Sequence, residues 1–240
     1  ETLSLEKKVN TVFGDIRDYD KLKAQVIMAK PDIVIHMAAQ ALVLESYNNP
    51  IDTYETNLMG TVNIMNAMRD VPSIKAFINV TSDKCYENKE NFISFKEGDA
   101  LGGIDPYSSS KACAELITSA YRHSFYKDTV AIATARAGNV IGGGDWALNR
   151  VIPDFIKKIN QHQKLTIRNP NSIRPWQFVL EPLSGYLKLA EKLFSEGPAF
   201  SESWNFGPES EDGKSVEWLI SKFDKEYGGG GNFEIESNNN

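Results

Sequence analysis

Asp105-Pro106-Tyr107-Ser108-Ser109-Ser110-Lys111 sets a phenol and an amine four residues apart at the start of a helix. Asp105 can cap that helix, and Pro106 suits its first position. Apolar residues recur beyond it at Ala112, Leu116, Ile117, Ala120 and Tyr121, close to the helical period. Residues i and i+4 share a helix face, so Tyr107 and Lys111 can act on one site. A nearby ammonium favours the phenolate and lowers a tyrosine pKa, which suits the phenol to take a proton from an alcohol near neutral pH. Tyr-x-x-x-Lys by itself also fits a half-buried tyrosine beside a solvated lysine, so the surroundings decide.

Outward from this helix, short apolar runs alternate with helical patterns. Residues 74–80 form one run, ending in Thr81-Ser82-Asp83-Lys84, and residues 130–136 form another, which leads into Gly142-Gly143-Gly144. Residues 33–37 form a third, followed by Ala38-Ala39-Gln40. Continuous apolar runs of this length suit strands buried on both faces. Helical spacing occupies 19–29 and 51–69, and a short apolar stretch at 9–13 reads as a further strand that ends at Gly14-Asp15-Ile16. Residues 87–104 read as a polar loop. The alternation predicts an α/β fold, a parallel sheet with helices on both faces. The polar residues that follow the strands then lie at strand C-terminal ends, where open sheets bind ligands.

Beyond Asp145 the character shifts. The pattern predicts helices over 150–159, 183–194 and 216–223 and short strands over 164–168 and 204–207. The expected organisation is a nucleotide-binding domain over 1–145, a mainly substrate-binding lobe over 146–227 and a flexible Gly- and Asn-rich tail over 228–240.

The chain has 240 residues, 41% hydrophobic and 24% charged, which excludes a largely disordered protein. The net charge of −6 and the lack of a Lys/Arg cluster argue against a nucleic-acid partner. No apolar run nears the roughly 20 residues of a membrane span, and no signal peptide is read at the N-terminus, so no membrane partner is expected. The two cysteines, Cys85 and Cys113, make no disulfide scaffold and suit a reducing, cytoplasmic compartment. His36 reads as a strand-end residue. No His or Cys partner lies at ligand spacing, so no metal is expected.

Three further runs complete the pattern around the Tyr107 helix: Val80-Thr81-Ser82-Asp83-Lys84-Cys85-Tyr86, the stretch Ala135-Arg136-Ala137-Gly138-Asn139-Val140-Ile141-Gly142-Gly143-Gly144-Asp145-Trp146, and Arg174-Pro175-Trp176-Gln177. Together, from about residue 13 to about residue 208, the chain resembles the extended short-chain dehydrogenase/reductase superfamily, of the NAD-dependent epimerase/dehydratase type. More narrowly it is similar to the CDP-glucose 4,6-dehydratase family. The resemblance implies a Rossmann-like doubly wound parallel sheet, incomplete at its N-terminus, with a smaller C-terminal substrate lobe. It implies a hydro-lyase that converts CDP-glucose to CDP-4-keto-6-deoxyglucose with tightly bound NAD recycled by internal hydride transfer. It places that lyase in deoxysugar supply for surface polysaccharide such as O-antigen. A homodimer or higher homo-oligomer through the long helices, the Tyr107 helix included, also follows from the resemblance.

The roles it implies are as follows. Ser82 binds a substrate oxygen, Tyr107 takes the proton of the C4 hydroxyl, and Lys111 binds the nicotinamide ribose and lowers the Tyr107 pKa. Asp83 protonates the departing C6 hydroxyl, a role that requires a raised pKa. Lys84 stands where related dTDP-sugar dehydratases carry glutamate, and the CDP-glucose enzymes share the lysine. It serves as the C5 base only if desolvated and neutral, and otherwise as a charged helper. Asp15 and Ile16 would meet the adenine, Ala38, Ala39 and Gln40 the ribose and phosphates, Thr81 the nicotinamide, with Asn57 close by. Asn139, Arg150 and Arg174 would hold the substrate, since arginine forks suit a diphosphate. Arg168 would lie beside the nucleotide, and Trp176 either covers the nucleotide or belongs to the lobe core.

The superfamily's Gly-x-x-Gly-x-x-Gly loop, which cradles a pyrophosphate at a helix N-terminus, is not found in the 240 residues. The resemblance therefore places roughly the first 60 residues of the family pattern, with two strands, and its last helices outside this chain. Three expectations follow: the strand at 9–13 lacks a neighbour, the strand at 32–37 presents an apolar edge, and these residues alone bind NAD weakly. Two other readings stay open. A nucleotide-sugar epimerase or reductase would need no acid at C6, which Asp83-Lys84 argues against. A non-catalytic fragment would only bind a nucleotide sugar or a partner chain.

Overall fold

A computed structural model describes residues 8–88 and 94–236 of the chain. Helix α1 (Tyr19–Ala29) starts where the Asp18 carboxylate accepts from the Lys21 amide at 3.2 Å and ends at Lys30 in the left-handed region, φ 44°. Strand β1 (Ile33–His36) follows. Then come α2 (Val43–Asn48) and α3 (Pro50–Tyr54), with proline in the first turn of α3. A π-helical turn, Glu55–Met59, carries the same helix on into α4 (Gly60–Ala67). Strand β2 (Ala76–Val80) leads through a loop to α5 (Pro106–Phe125), and β3 (Ala131–Ala137) follows. Next in order are β4 (Val140–Ile141), α6 (Val151–Asn160), β5 (Leu165–Ile167), β6 (Ile173–Arg174) and β7 (Gln177–Phe178). The chain closes with α7 (Leu180–Glu196), β8 (Ser203–Phe206), β9 (Lys214–Ser215), α8 (Val216–Glu226) and β10 (Phe233–Ile235).

The main sheet has the order β1-β2-β3-β8, all parallel, with Ile35 opposite Ile78 and Ile78 opposite Ala133. Successive residues of a strand face opposite sides. Phe77 and Ile132 thus pack with Ile64, Met65 and Met68 of the α4 face, and Ile78, Ala133 and Ala135 pack with Tyr186, Leu189 and Leu193 of α7. A parallel sheet covered on both faces is the expected doubly wound α/β arrangement. A third core, around Phe155, Ile167, Leu219 and Ile220, holds the smaller lobe built from α6, β5, α8 and β10.

Three expectations need correction. Residues 9–13 form no strand: Val9, Val12 and Phe13 are exposed, Phe13 at 86%, since no neighbouring strand hydrogen-bonds to them. Strand β1 is consequently the edge of the sheet, with Ile33 exposed. The boundary at 145 does not hold either. Helix α7 and strand β8 return to the main sheet, because β8 pairs with β3 from Ser203 opposite Thr134 to Phe206 opposite Ala137. The lobe is therefore made of two stretches that flank them. Finally, residues 228–236 are built structure: β10 pairs with β5, and the Asp224 carboxylate accepts from the Gly231 and Asn232 amides, both at 3.1 Å. Gly228, Gly229 and Gly231 take positive φ there, which explains the glycine run. Residues 237–240 of the anticipated tail, 89–93 of the anticipated loop and 1–7 lie outside the described residues. Among the described residues no helix is long and apolar enough to cross a membrane.

His36, buried at the C-terminal end of β1, has Nε2 3.4 Å from the Thr61 hydroxyl. Burial first, and the Lys111 charge second, draw its pKa from 6.5 down to about 4. The unfolded chain therefore binds the extra proton first. Stability from this residue is complete above pH 6.5 and is lost as pH falls from 6.5 to about 4. Urea unfolding should show the chain losing about 3 kcal/mol more than His36→Gln between pH 7 and pH 4. Equal losses in the two proteins refute the assignment.

Candidate active site

Helix α5 begins as its sequence predicts. The Asp105 carboxylate accepts from the Ser108 amide at 2.9 Å and from the Ser108 hydroxyl at 2.6 Å. The serines between the phenol and the amine each anchor the helix. Ser109 Oγ lies 2.5 Å from Tyr54 Oη, and Ser110 Oγ accepts from Asn57 Nδ2 at 2.9 Å. The Tyr107 amide donates to Ser46 Oγ at 3.1 Å, which places α2, absent from the sequence reading, under the start of the helix.

Tyr107 and Lys111 are 8% and 6% exposed, side by side at the end of β2. Lys111 Nζ donates to the Val80 carbonyl at 3.2 Å, and the Ser82 hydroxyl lies close enough to the Tyr107 phenol to favour its charged form. Ser82 Oγ also donates to Asp83 Oδ1 at 3.1 Å and accepts from the Lys84 amide at 3.2 Å. Burial shifts each acid and base against its charged form. It raises Tyr107, with Asp83 and Asp105 adding to the rise and Ser82 and Arg150 opposing it. It raises Asp83, against Lys84, Ser82 and Arg174. It draws Lys111 down to about 8, against Glu115 and Cys85. The Asp83 direction is the one an acid requires. The Tyr107 direction is opposite to the expectation from helix spacing, because desolvation outweighs the charges around the phenol. Lys84 is exposed, without the burial that the reading as C5 base calls for.

At the edge of the sheet, Asp15, Ile16, Ala38, Ala39 and Gln40 come together as sequence reading expected. They line an open groove of about 580 Å³, with Arg17 and Asp52 on its rim. Arg17 bridges Asp15 at 2.6 Å and Asp52 at 2.5 Å, and it holds the Asp15 carboxyl down to about 2. Asn57, in the π-helical turn, acts differently from expectation. Its Oδ1 accepts from the Gln40 amide at 2.8 Å, and its Nδ2 donates to the Gln40 carbonyl at 3.0 Å and to Ser110. All three of these polar contacts tie the 38–40 loop to α5 rather than reach into the groove. Thr81 likewise turns its hydroxyl onto the Glu115 carboxylate.

On the lobe side, strand β4 pairs with β7 and brings 138–141 beside 174–178. A Cβ on Gly138 would stand 2.7 Å from Pro175 Cγ and 3.1 Å from Asp83 Oδ2, so only glycine lets Asp83 and the Arg174-Pro175 segment approach. Asn139 is half-buried beside it, and its carbonyl accepts from the Gln177 amide at 3.0 Å. Arg150 pairs with Asp145 at 3.0 Å, and its charge reaches Tyr107. Arg174 is exposed with its charge felt at Asp83. Arg168 is exposed at the end of β5 and its side chain makes no hydrogen bond or ion pair among the described residues. Trp176 packs on the lobe core and donates its indole N–H to the Lys214 carbonyl at 2.9 Å, so the core reading of this residue is the one realised. Sequence reading passed over Glu115 and Arg136, an ion pair at 2.7 Å with both side chains buried. The available signal was the repeat of the same spacing, Tyr107, Lys111, Glu115.

Comparison with known proteins agrees with this geometry. A family model described as GDP-mannose 4,6 dehydratase matches residues 1–196. The CDP-glucose 4,6-dehydratase of Salmonella typhimurium is 49% identical over the whole of this chain, which spans 68% of that protein. Among solved structures, a UDP-glucose-4-epimerase from Stenotrophomonas maltophila with bound NAD and formylated UDP-arabinopyranose superposes with a TM-score of 0.83 at 21% identity, covering 93% of this chain and 69% of that one. A dTDP-glucose 4,6-dehydratase double mutant from Streptomyces venezuelae with NAD and DAU bound gives 0.77 at 22% identity, covering 93% and 66%. At these identities the structures speak for the fold; the family model and the Salmonella relative speak for kinship. The chain belongs to the GDP-mannose 4,6 dehydratase family and, within it, to the CDP-glucose 4,6-dehydratases.

Proposed function

We propose that the chain carries the catalytic site of an NAD-dependent hydro-lyase that dehydrates CDP-glucose to CDP-4-keto-6-deoxyglucose. The observation that carries this reading is Asp83. It is a carboxyl raised by burial, beside the Tyr107 phenol and across Gly138 from the Arg174-Pro175 segment. An epimerase has no use for an acid there, whereas expulsion of the C6 hydroxyl does.

The residues present fit the cofactor. The groove beside β1 pairs the Asp15 carboxylate with the small Ala38 and Ala39, room and an acceptor for an adenosine. Among the described residues, buried Lys111 has one hydrogen bond, to Val80, and so keeps donors for ribose hydroxyls. NAD+, when bound, supplies a hydride acceptor that is restored within each turnover. Ser82 then holds the sugar C4 oxygen and Tyr107 takes its proton. Lys111, charged below about pH 8, favours the phenolate form of Tyr107 that accepts this proton. Once C4 is a ketone the C5 hydrogen is acidic and is lost as a proton to solvent, while Asp83 gives its own proton to the C6 oxygen, which leaves as water. Arg150 and Arg174 offer forks to the diphosphate, and either can leave its present partner, Asp145 or the Ile173 carbonyl, to do so. Exposed Leu44, Tyr47, Ile51 and Leu116 on α2, α3 and α5 support a homodimer through these helices.

Incubation of the chain with CDP-glucose and saturating NAD+ should yield, by mass spectrometry, a sugar nucleotide lighter by one water. Unchanged substrate at every NAD+ concentration rejects the reading for this chain. Tyr107→Phe is expected to lower kcat by about 10²- to 10⁴-fold. Asp83→Asn should lower kcat by about 100-fold with KM unchanged; a loss confined to KM would make Asp83 a binding group instead.

A further inference from the structure

Helix α5 carries a third side chain on the face of Tyr107 and Lys111. Glu115 lies one turn further along and is 3% exposed. A buried carboxylate is costly unless paired and hydrogen-bonded, and this one is engaged at both oxygens. Oε1 accepts from the Thr81 hydroxyl. Oε2 accepts from Arg136 Nη2 at 2.7 Å, from Thr134 Oγ1 at 2.8 Å and from Ser203 Oγ at 3.3 Å. One side chain thus joins the active-site helix to β3, to β8 and to the residue that follows β2.

The surroundings of Lys111 give this carboxylate a second effect. Among the described residues the amine has a single hydrogen bond, to the Val80 carbonyl. The titratable groups that bear on it are Glu115 on its own helix, Cys85 on the turn after β2 and His36 on β1. Burial keeps the Cys85 thiol protonated, pushed up to about 12, and keeps His36 neutral. Glu115, ion-paired with Arg136 at 2.7 Å, is the carboxylate among the three.

We propose that Glu115 is a positioning residue of the active site: it fixes the end of β2 through Thr81 and supplies the counter-charge that keeps Lys111 an ammonium beside the Tyr107 phenol. The inference rests on the reading of Tyr107 and Lys111 as the catalytic pair. Burial brings the Lys111 pKa down to about 8, and Glu115 is the largest influence in the other direction. Without it the amine loses its proton in the neutral range, where the phenolate needs the ammonium.

Glu115→Gln alone leaves the Arg136 guanidinium buried and unpaired, so the deciding protein is Glu115→Gln with Arg136→Gln, which removes both charges and keeps hydrogen-bonding groups. The readout is the NMR shift of the Lys111 Cε carbon against pH in lysine-labelled chain, assigned by its loss in Lys111→Met. The unaltered chain should titrate near pH 8. The double variant should titrate at least about one unit lower, with about tenfold less ammonium relative to amine at a given pH. A folded double variant with an unmoved midpoint overturns the proposal. So does a double variant that fails to fold, since Glu115 would then serve the core alone. No substrate enters the measurement. A shifted midpoint in a chain that never dehydrates CDP-glucose would reject the dehydratase reading and leave the Glu115–Lys111 coupling intact.

Discussion

The buried ion pair between Glu115 and Arg136 is the constraint on which the rest of the site depends. Both side chains are almost wholly withdrawn from water, and a ring of partners surrounds them. Arg136 also donates to Tyr86 Oη at 2.8 Å and to the Glu97 carbonyl at 3.0 Å, and lies over the Tyr86 ring, which stacks on Phe95. Losing one member of such a pair costs about 3–5 kcal/mol, while replacing both by apolar groups can be neutral. Net stability is thus a poor account of why charge sits there. What the pair does is register α5 against β2, β3 and β8, so the helix that holds the phenol and amine cannot slide relative to the strand ends that hold Ser82 and Asp83.

A single physical cause explains most of the electrostatics. Desolvation disfavours whichever form is charged, so the same burial lifts Tyr107 and Asp83 and depresses Lys111 and His36. The phenol is thereby held protonated in the free protein, and the acid at position 83 is brought toward its working form. Only neighbouring charges distinguish one group from the next. Those neighbours come from different parts of the chain: Arg150 and Arg174 from the lobe, Glu115 from the helix, Lys84 from the turn.

Local signals made the first half of the fold legible. Asp18 and Asp105 are caps with carboxylates, Pro106 opens its helix, and the apolar runs at 33–37, 74–80 and 130–136 are strands within a residue or two at most ends. Of the candidate residues, Ser82, Asp83, Tyr107 and Lys111 do converge, and the five residues from Asp15 to Gln40 share one groove. What sequence could not convey was long-range pairing. Nothing local says that 203–206 lies beside 131–137. Side-chain direction was equally hidden. Asn57, Thr81 and Trp176 stand near the expected places but turn their polar groups inward, onto Gln40, Glu115 and Lys214. The Glu115 carboxylate was passed over because its partners lie 19 and 21 residues away, on β3.

The divided lobe bears on how the protein is made. Its core draws Ile152, Phe155 and Ile167 from one stretch and Leu219 and Ile220 from another, with α7 and β8 between them committed to the main sheet. A nascent chain that has emerged only as far as β7 holds half of that core with nothing to close it. The half-lobe stays open to solvent and to other exposed apolar surfaces until α8 leaves the ribosome. Contacts across so long a separation form late and carry the entropy of a large loop. The lobe core therefore closes later than the main sheet that it flanks, and its assembly is exposed to a premature stop in synthesis.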